Sequence, residues 1–149
     1  MTDIIIAHSD EDICSWRDAL KCTGEALYKK GFVKDTFVEG CTKREEMFPT
    51  GLPSEEPVAI PHADAEYVLK DAICFLVLEN PITFRRMDNP EENISTRLVV
   101  NMAISAGGSQ VKMLMKLMDI LKSKDDVLKI INEYNDDQIL EFANKRING

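Results

Sequence analysis

With 149 residues, 44% of them hydrophobic and 30% charged, the chain has the size and mix of a single globular domain (1–149), able to bury its core without a metal or disulfide. No apolar run approaches the roughly 20 residues that span a bilayer, and Met1-Thr2-Asp3-Ile4-Ile5-Ile6 lacks the basic start of a secretory signal, so neither direct membrane insertion nor secretion is expected. A net charge of −8 and a pI near 4.8 argue against nucleic acid, which is held by clustered Lys and Arg, and better suit a basic protein partner.

In chain order, the first segment, with His8, is expected to be disorder-prone. Ile13, Trp16, Leu20 and Leu27 then recur at helical spacing, which predicts an amphipathic helix over Ile13 to Tyr28. Ser9 or Asp10 is its expected N-cap, Asp10-Glu11-Asp12 its first-turn carboxylates, and Gly31 its stop. A second helix is predicted over Thr36 to Met47, ended by Pro49, which puts Arg44 close to its end. Thr50 to Pro57 (TGLPSEEP) reads as a loop because Gly and Pro punctuate it.

The loop leads to a short strand ending near Ile60. Ala72 to Leu78 is a continuous apolar run closed by Asn80-Pro81 and reads as a central strand buried on both faces, followed by a short edge strand at Ile82 to Phe84. Leu98 to Ile104 resembles another central strand, broken by Gly107-Gly108-Ser109. Val111, Leu114, Leu117, Met118 and Leu121 predict the next helix, with Gln110 at its start and Met113, Met115 and Met118 filling core or, where exposed, offering an adaptable partner surface. Two further helices run through Val127 to Ile131, opened by Asp125-Asp126, and through Ile139 to Phe142, with Asn135 or Asp136 as N-cap. The pattern predicts an α/β fold, a mixed β-sheet flanked by helices on both faces.

Cys14, Cys22, Cys41 and Cys74 contain no C-x-x-C pair and make no zinc pattern with two distant histidines. Reduced thiols, a cytoplasmic setting and no metal or cofactor are expected. What remains for chemistry is a histidine after a strand, an arginine near a helix end and a glycine-rich strand-to-helix turn. In Val58-Ala59-Ile60-Pro61-His62 the proline fixes φ just before the imidazole, so the ring sits on rigid backbone. An imidazole with an ordinary pKa of about 6.5 is an available nucleophile, arginine binds anions with a planar fork, and helix starts offer free N–H groups. The three suit an anion if the fold makes them converge. Each also has an ordinary reading: His62 as a packed strand-end residue, Arg44 as a solvated helix residue paired with a nearby carboxylate, Gln110 as a first-turn residue and Thr50 as a cap. His8 reads as incidental.

Arg44-Glu45-Glu46-Met47-Phe48-Pro49-Thr50-Gly51, followed by Val58-Ala59-Ile60-Pro61-His62, resembles the signature of enzyme IIA proteins of the sugar phosphotransferase system, fructose/mannitol type. The Phe-Pro-Thr-Gly run, and Gln110 where many relatives have a second histidine, make it most similar to the galactitol branch. The resemblance implies that His62 accepts a phosphoryl group from the phosphocarrier HPr and passes it to a cysteine of a IIB component, with a membrane IIC subunit moving the sugar. It further implies that Arg44 neutralises the phosphoryl oxygens and that Gln110 donates a hydrogen bond without titrating. A regulatory, phosphorylation-sensing module of the nitrogen IIA type is the alternative it allows. Asp64, following His62-Ala63, departs from the common glycine and is expected to point away from the site, where it would repel an anion.

Overall fold

The computed structural model describes residues 1–106 and 110–149. Its centre is a pair of long antiparallel strands, β4 (Ala72–Arg85) and β5 (Asn93–Ala103), preceded in the chain by β1 (Asp3–Ile6), β2 (Gly51–Leu52) and β3 (Val58–Ala59). The sheet order is β1-β4-β5-β3-β2, so both predicted central strands are interior. β1 runs parallel to β4 and β3 parallel to β5, whereas β2 is antiparallel to β3, giving a mixed sheet.

Alternation along the two strands divides the core into two layers. Ala72, Cys74 and Leu76 of β4 and Val99 and Ala103 of β5 pack with the buried residues of α1 (Trp16–Lys29) and α2 (Phe37–Met47). Ile73 and Phe75, with Leu98, Val100 and Met102, pack instead with α3 (Gln110–Lys122), α4 (Lys124–Asn132) and α5 (Asp136–Asn148). Helices thus cover both faces, and each fully buried Phe, Leu or Ile contributes about 1.5–3 kcal/mol by leaving water. Among the buried polar residues is Asn101 on β5, fully buried, whose amide donates to Thr23 Oγ1 of α1 at 2.9 Å and lies 3.8 Å from Cys41 Sγ of α2.

Most predicted elements hold, and the differences have local causes. The first helix starts at Trp16, not Ile13, because Ser15 is extended and its hydroxyl accepts from Asp18 N–H. Ser9 closes a small turn with Glu11, so Asp10-Glu11-Asp12 lies outside the helix. Gly31 does end it: at φ 80° its N–H reaches Tyr28 O while the Phe32 N–H reaches Leu27 O. Nor is the N-terminus loose, since β1 pairs with β4 and Thr2 exchanges two hydrogen bonds with the Asn148 side chain. The loop after α2 contains β2, a strand the Gly and Pro residues had hidden.

Asn80-Pro81 does not end β4, which continues through Arg85 and absorbs the expected edge strand. The pairing with β5 slips register between Val77 and Ile82, and at such a bulge a residue without an N–H is tolerated. β5 correspondingly begins at Asn93 rather than Leu98. The predicted break at Gly107-Gly108-Ser109 lies outside the described residues. Ser123 and Asn135 cap α4 and α5, the latter in a reciprocal box with Gln138, and Asp125-Asp126 opens α4 as expected. Of the α3 methionines Met113 is buried, Met118 half-buried and Met115 exposed.

Candidate functional site

Beyond β3 the chain keeps the same parallel register against β5. Ala59 pairs with Val99 and His62 with Met102, while Pro61, which has no N–H to offer, uses its carbonyl to accept from Met102 N–H at 3.0 Å. His62 therefore stands on backbone fixed by the sheet. Its ring nitrogens have different partners. Nδ1 lies 3.1 Å from Ile60 O, and Nε2 is 3.0 Å from Nε of Arg44. A guanidinium only donates and a carbonyl only accepts, so both contacts demand one tautomer: hydrogen on Nδ1, lone pair on Nε2. Burial lowers the His62 pKa, the Ile60 hydrogen bond opposes that, Arg44 lowers it further and Asp64 raises it. The net depression favours the neutral ring.

Arg44 comes from the last turn of α2. Its Nη1 donates to Asp64 Oδ1 at 2.9 Å, and its Cζ lies 5.6 Å from the centre of the Phe48 ring. Asp64 thus does not point away from the site. One guanidinium bridges the imidazole and the carboxylate through two edges of its fork.

The end of α2 is pinned by groups whose importance single-sequence reading missed. Arg85, at the end of β4, donates to the backbone carbonyls of Glu45 and Glu46, satisfying acceptors that a helix end leaves free and placing a cation at its negative pole. The Glu45 side chain turns inward, only 3% exposed, and accepts from both Thr50 N–H and Thr50 Oγ1 at 2.7 Å. Burial raises the Glu45 pKa, against the Thr50 hydrogen bonds and the charge of Arg85. Thr50 therefore acts as a turn residue, and its carbonyl accepts from Ile60 N–H at 3.2 Å, tying α2 to the strand that carries His62. The Arg-Glu and Thr-Gly pairs across Pro49 were the available signal for this bracket. Arg85 gave none.

Gln110, the first residue of α3, is engaged elsewhere. Its Nε2 lies 3.2 Å from both Asp71 Oδ2 and Ser105 Oγ, and Ser105 also donates to Asp71 through its N–H and hydroxyl. Burial tends to raise the Asp71 carboxyl, but the Ser105 and Gln110 hydrogen bonds outweigh it and hold the pKa low. Among the described residues no hydrogen bond joins Gln110 to His62 or Arg44. His8 is largely exposed and pairs with Asp136 at 2.5 Å. A concavity of about 540 Å³ lies beside it, lined by the loop from His8 to Cys14 and by Leu76 to Pro81; neither His62 nor Arg44 takes part. No helix among the described residues is long and apolar enough to cross a membrane.

This arrangement presents a nucleophilic nitrogen with a fixed cation against it. Comparison with known proteins places the chain among relatives. The galactitol-specific EIIA component of Escherichia coli strain K12 is 29% identical over 131 residues, 87% of this chain and 86% of that protein. The mannitol-specific EIICBA component of the same strain is 27% identical over 128 residues, 84% of this chain but 19% of that longer protein. Among solved structures, the complex of enzyme IIAMTL and phosphorylated enzyme IIBMTL from Escherichia coli superimposes with a TM-score of 0.75 at 21% identity, covering 94% of both chains. Residues 2–146 match the family described as "Phosphoenolpyruvate-dependent sugar phosphotransferase system, EIIA 2", and the chain belongs to that family.

Proposed function

We propose that this chain is a cytoplasmic phosphocarrier: His62 takes a phosphoryl group from phospho-HPr and yields it to a cysteine of a cognate IIB component, which serves a membrane IIC subunit in the uptake of a sugar or sugar alcohol. The observation that carries the proposal is the Nε2 lone pair of His62 facing Arg44 Nε at 3.0 Å. Likeness over most of its length to a galactitol-specific component supports galactitol as the substrate class, and favours transport over a nitrogen-type regulatory role.

In the forward step the Nε2 lone pair attacks phosphorus. A P–N bond forms while the bond from phosphorus to the donor breaks, its electron pair leaving with the donor. The hydrogen stays on Nδ1, donated to the Ile60 carbonyl, so acceptance needs no proton transfer within His62. Arg44, displaced from the lone pair, has its Nε–H free for a phosphoryl oxygen; transfer of this kind depends on positioning and charge stabilisation more than on covalent help from the protein. In the second step a IIB thiolate attacks phosphorus and the P–N electron pair returns to Nε2. Gln110 is assigned the task of holding the end of β5 through Asp71 and Ser105, and donation to a phosphoryl oxygen requires giving up one of these two contacts.

The test is incubation with enzyme I, HPr and labelled phosphoenolpyruvate, followed by mapping of the acid-labile label. Label on His62, lost in His62→Ala and kept in His8→Ala, is expected. Equal labelling of the two variants would reject the assignment.

A further inference from the structure

Asp64 is the carboxylate that the phosphocarrier reading leaves without a task, and it is bonded to the same guanidinium that would meet a phosphoryl group on His62. It shares the Arg44 guanidinium with His62: Nε is given to the imidazole and Nη1, at 2.9 Å, to Asp64 Oδ1. A carboxylate and a phosphoryl group compete for the same planar fork. Once a phosphoryl group is bonded to Nε2, two anions face one cation.

The backbone around this contact is fixed while the carboxylate is free to turn. Asp64 precedes a 3-10 turn, Ala65–Tyr67, in which Tyr67 N–H donates to Asp64 O, and the Tyr67 carbonyl accepts from Lys34 N–H beside the Val33–Val68 bridge. Tyr67 also lies against α2 one turn before Arg44: a Cβ on Gly40 would meet its ring at 2.8 Å. Arg44 and the Asp64 backbone are thereby held at a set spacing. The Asp64 side chain itself is 64% exposed, so it has room to swing into water.

We propose that Asp64 is a positioning residue which occupies Arg44 when His62 is free and is displaced when His62 is phosphorylated, so that it raises the tendency of the phosphoryl group to leave. This rests on His62 being the phosphoryl acceptor. In the free chain the Arg44–Asp64 pair is satisfied; in the phosphorylated chain that pair is broken or strained by like-charge repulsion, and departure of the phosphoryl group restores it. The direct strength of an exposed pair is small, of order 0.2–1 kcal/mol, and is screened by salt, which bounds the effect at about fivefold.

The experiment equilibrates the purified chain with HPr and phospho-HPr in known ratio and reads the phosphorylated fraction of each protein by intact mass. Asp64→Asn is expected to raise the equilibrium constant for phosphorylation about 1.5- to fivefold at low salt, with the gap closing at high salt, and Asp64→Glu to stay near wild type. A loss of fold would lower phosphorylation, the opposite sign. Equal constants for wild type and Asp64→Asn, with wild type labelled on His62, overturn this inference alone; wild-type protein that takes no label on His62 overturns the phosphocarrier reading as well.

Discussion

Arg44 Nε and His62 Nε2 are hydrogen-bonded at 3.0 Å although they come from different layers, one from the end of α2 and the other from the chain beyond β3. The contact does two things at once. It selects the tautomer whose lone pair faces the cation, and it keeps a charge next to the atom at which negative charge would arrive. An unmodified histidine in water has neither property.

The first prediction concerns pH. Burial holds the His62 pKa below the ordinary value of about 6.5, so Nε2 keeps its lone pair to a lower pH than a free imidazole would. Phosphoryl acceptance should be flat as pH falls to about 6.5 and decline below it. Because the folded-state pKa is depressed, the unfolded chain takes up the proton first, and the stability contributed by the neutral ring is lost as pH falls below that value. Nitrogen-15 NMR titration of the ring should show a midpoint under 6.5 and an unprotonated Nε2 above it; a midpoint above 6.5 contradicts the burial argument.

The second concerns the guanidinium. Arg44→Ala removes the fixed cation and should slow phosphoryl acceptance by about 10²- to 10³-fold, the size of effect seen when one preorganised donor is deleted. Arg44→Lys keeps charge without the fork and should fall between the two. Rapid-quench labelling from phospho-HPr measures both. A lysine variant as fast as wild type would mean that charge alone suffices.

Much of this architecture is legible from residue order, and the exceptions share a cause. The runs around Phe75 and Val100 are apolar at nearly every position, which suits strands with helices on both sides, and the helices announce themselves by spacing. Pro81 misleads because its missing N–H forbids a regular ladder, whereas the β4–β5 ladder slips at that place and asks nothing of it. Asp64 misleads because repulsion was weighed against an incoming anion and not against the cation already present. The Arg85 contact with the carbonyls of Glu45 and Glu46 joins positions 40 and 39 residues apart. Such pairings are settled by how α2 lies on the sheet, and nothing local encodes them.

The third prediction tests the bracket under Arg44. Glu45→Ala leaves the buried N–H and hydroxyl of Thr50 without their acceptor, a loss of about 1–3 kcal/mol in stability. It should also loosen the end of α2 and slow acceptance on His62 more than a distant change of equal stability cost does. Denaturant unfolding and labelling rates on the same samples separate the two effects. Unchanged stability would show that Thr50 finds another partner.

The fourth concerns Gly51, where the sheet edge lets β2 approach the end of β4. A Cβ added there would lie 2.5 Å from the Arg85 carbonyl oxygen and 2.8 Å from Ile94 Cγ1, while the Gly51 carbonyl accepts from Met87 N–H at 2.9 Å. The first neighbour is backbone and cannot turn aside, so Gly51→Ala must push β2 away from β4 or shift the Arg85 strand end. Overpacking of this kind costs about 1–3 kcal/mol. Either displacement also reaches the site, because Arg85 pins the end of α2 and Thr50, next to Gly51, is bonded to Glu45 and Ile60. The variant should therefore lose both denaturant resistance and phosphorylation rate, with the His62 ring resonances shifted in NMR. A destabilised protein with unshifted ring resonances would show that the β2 edge and the His62 strand move independently.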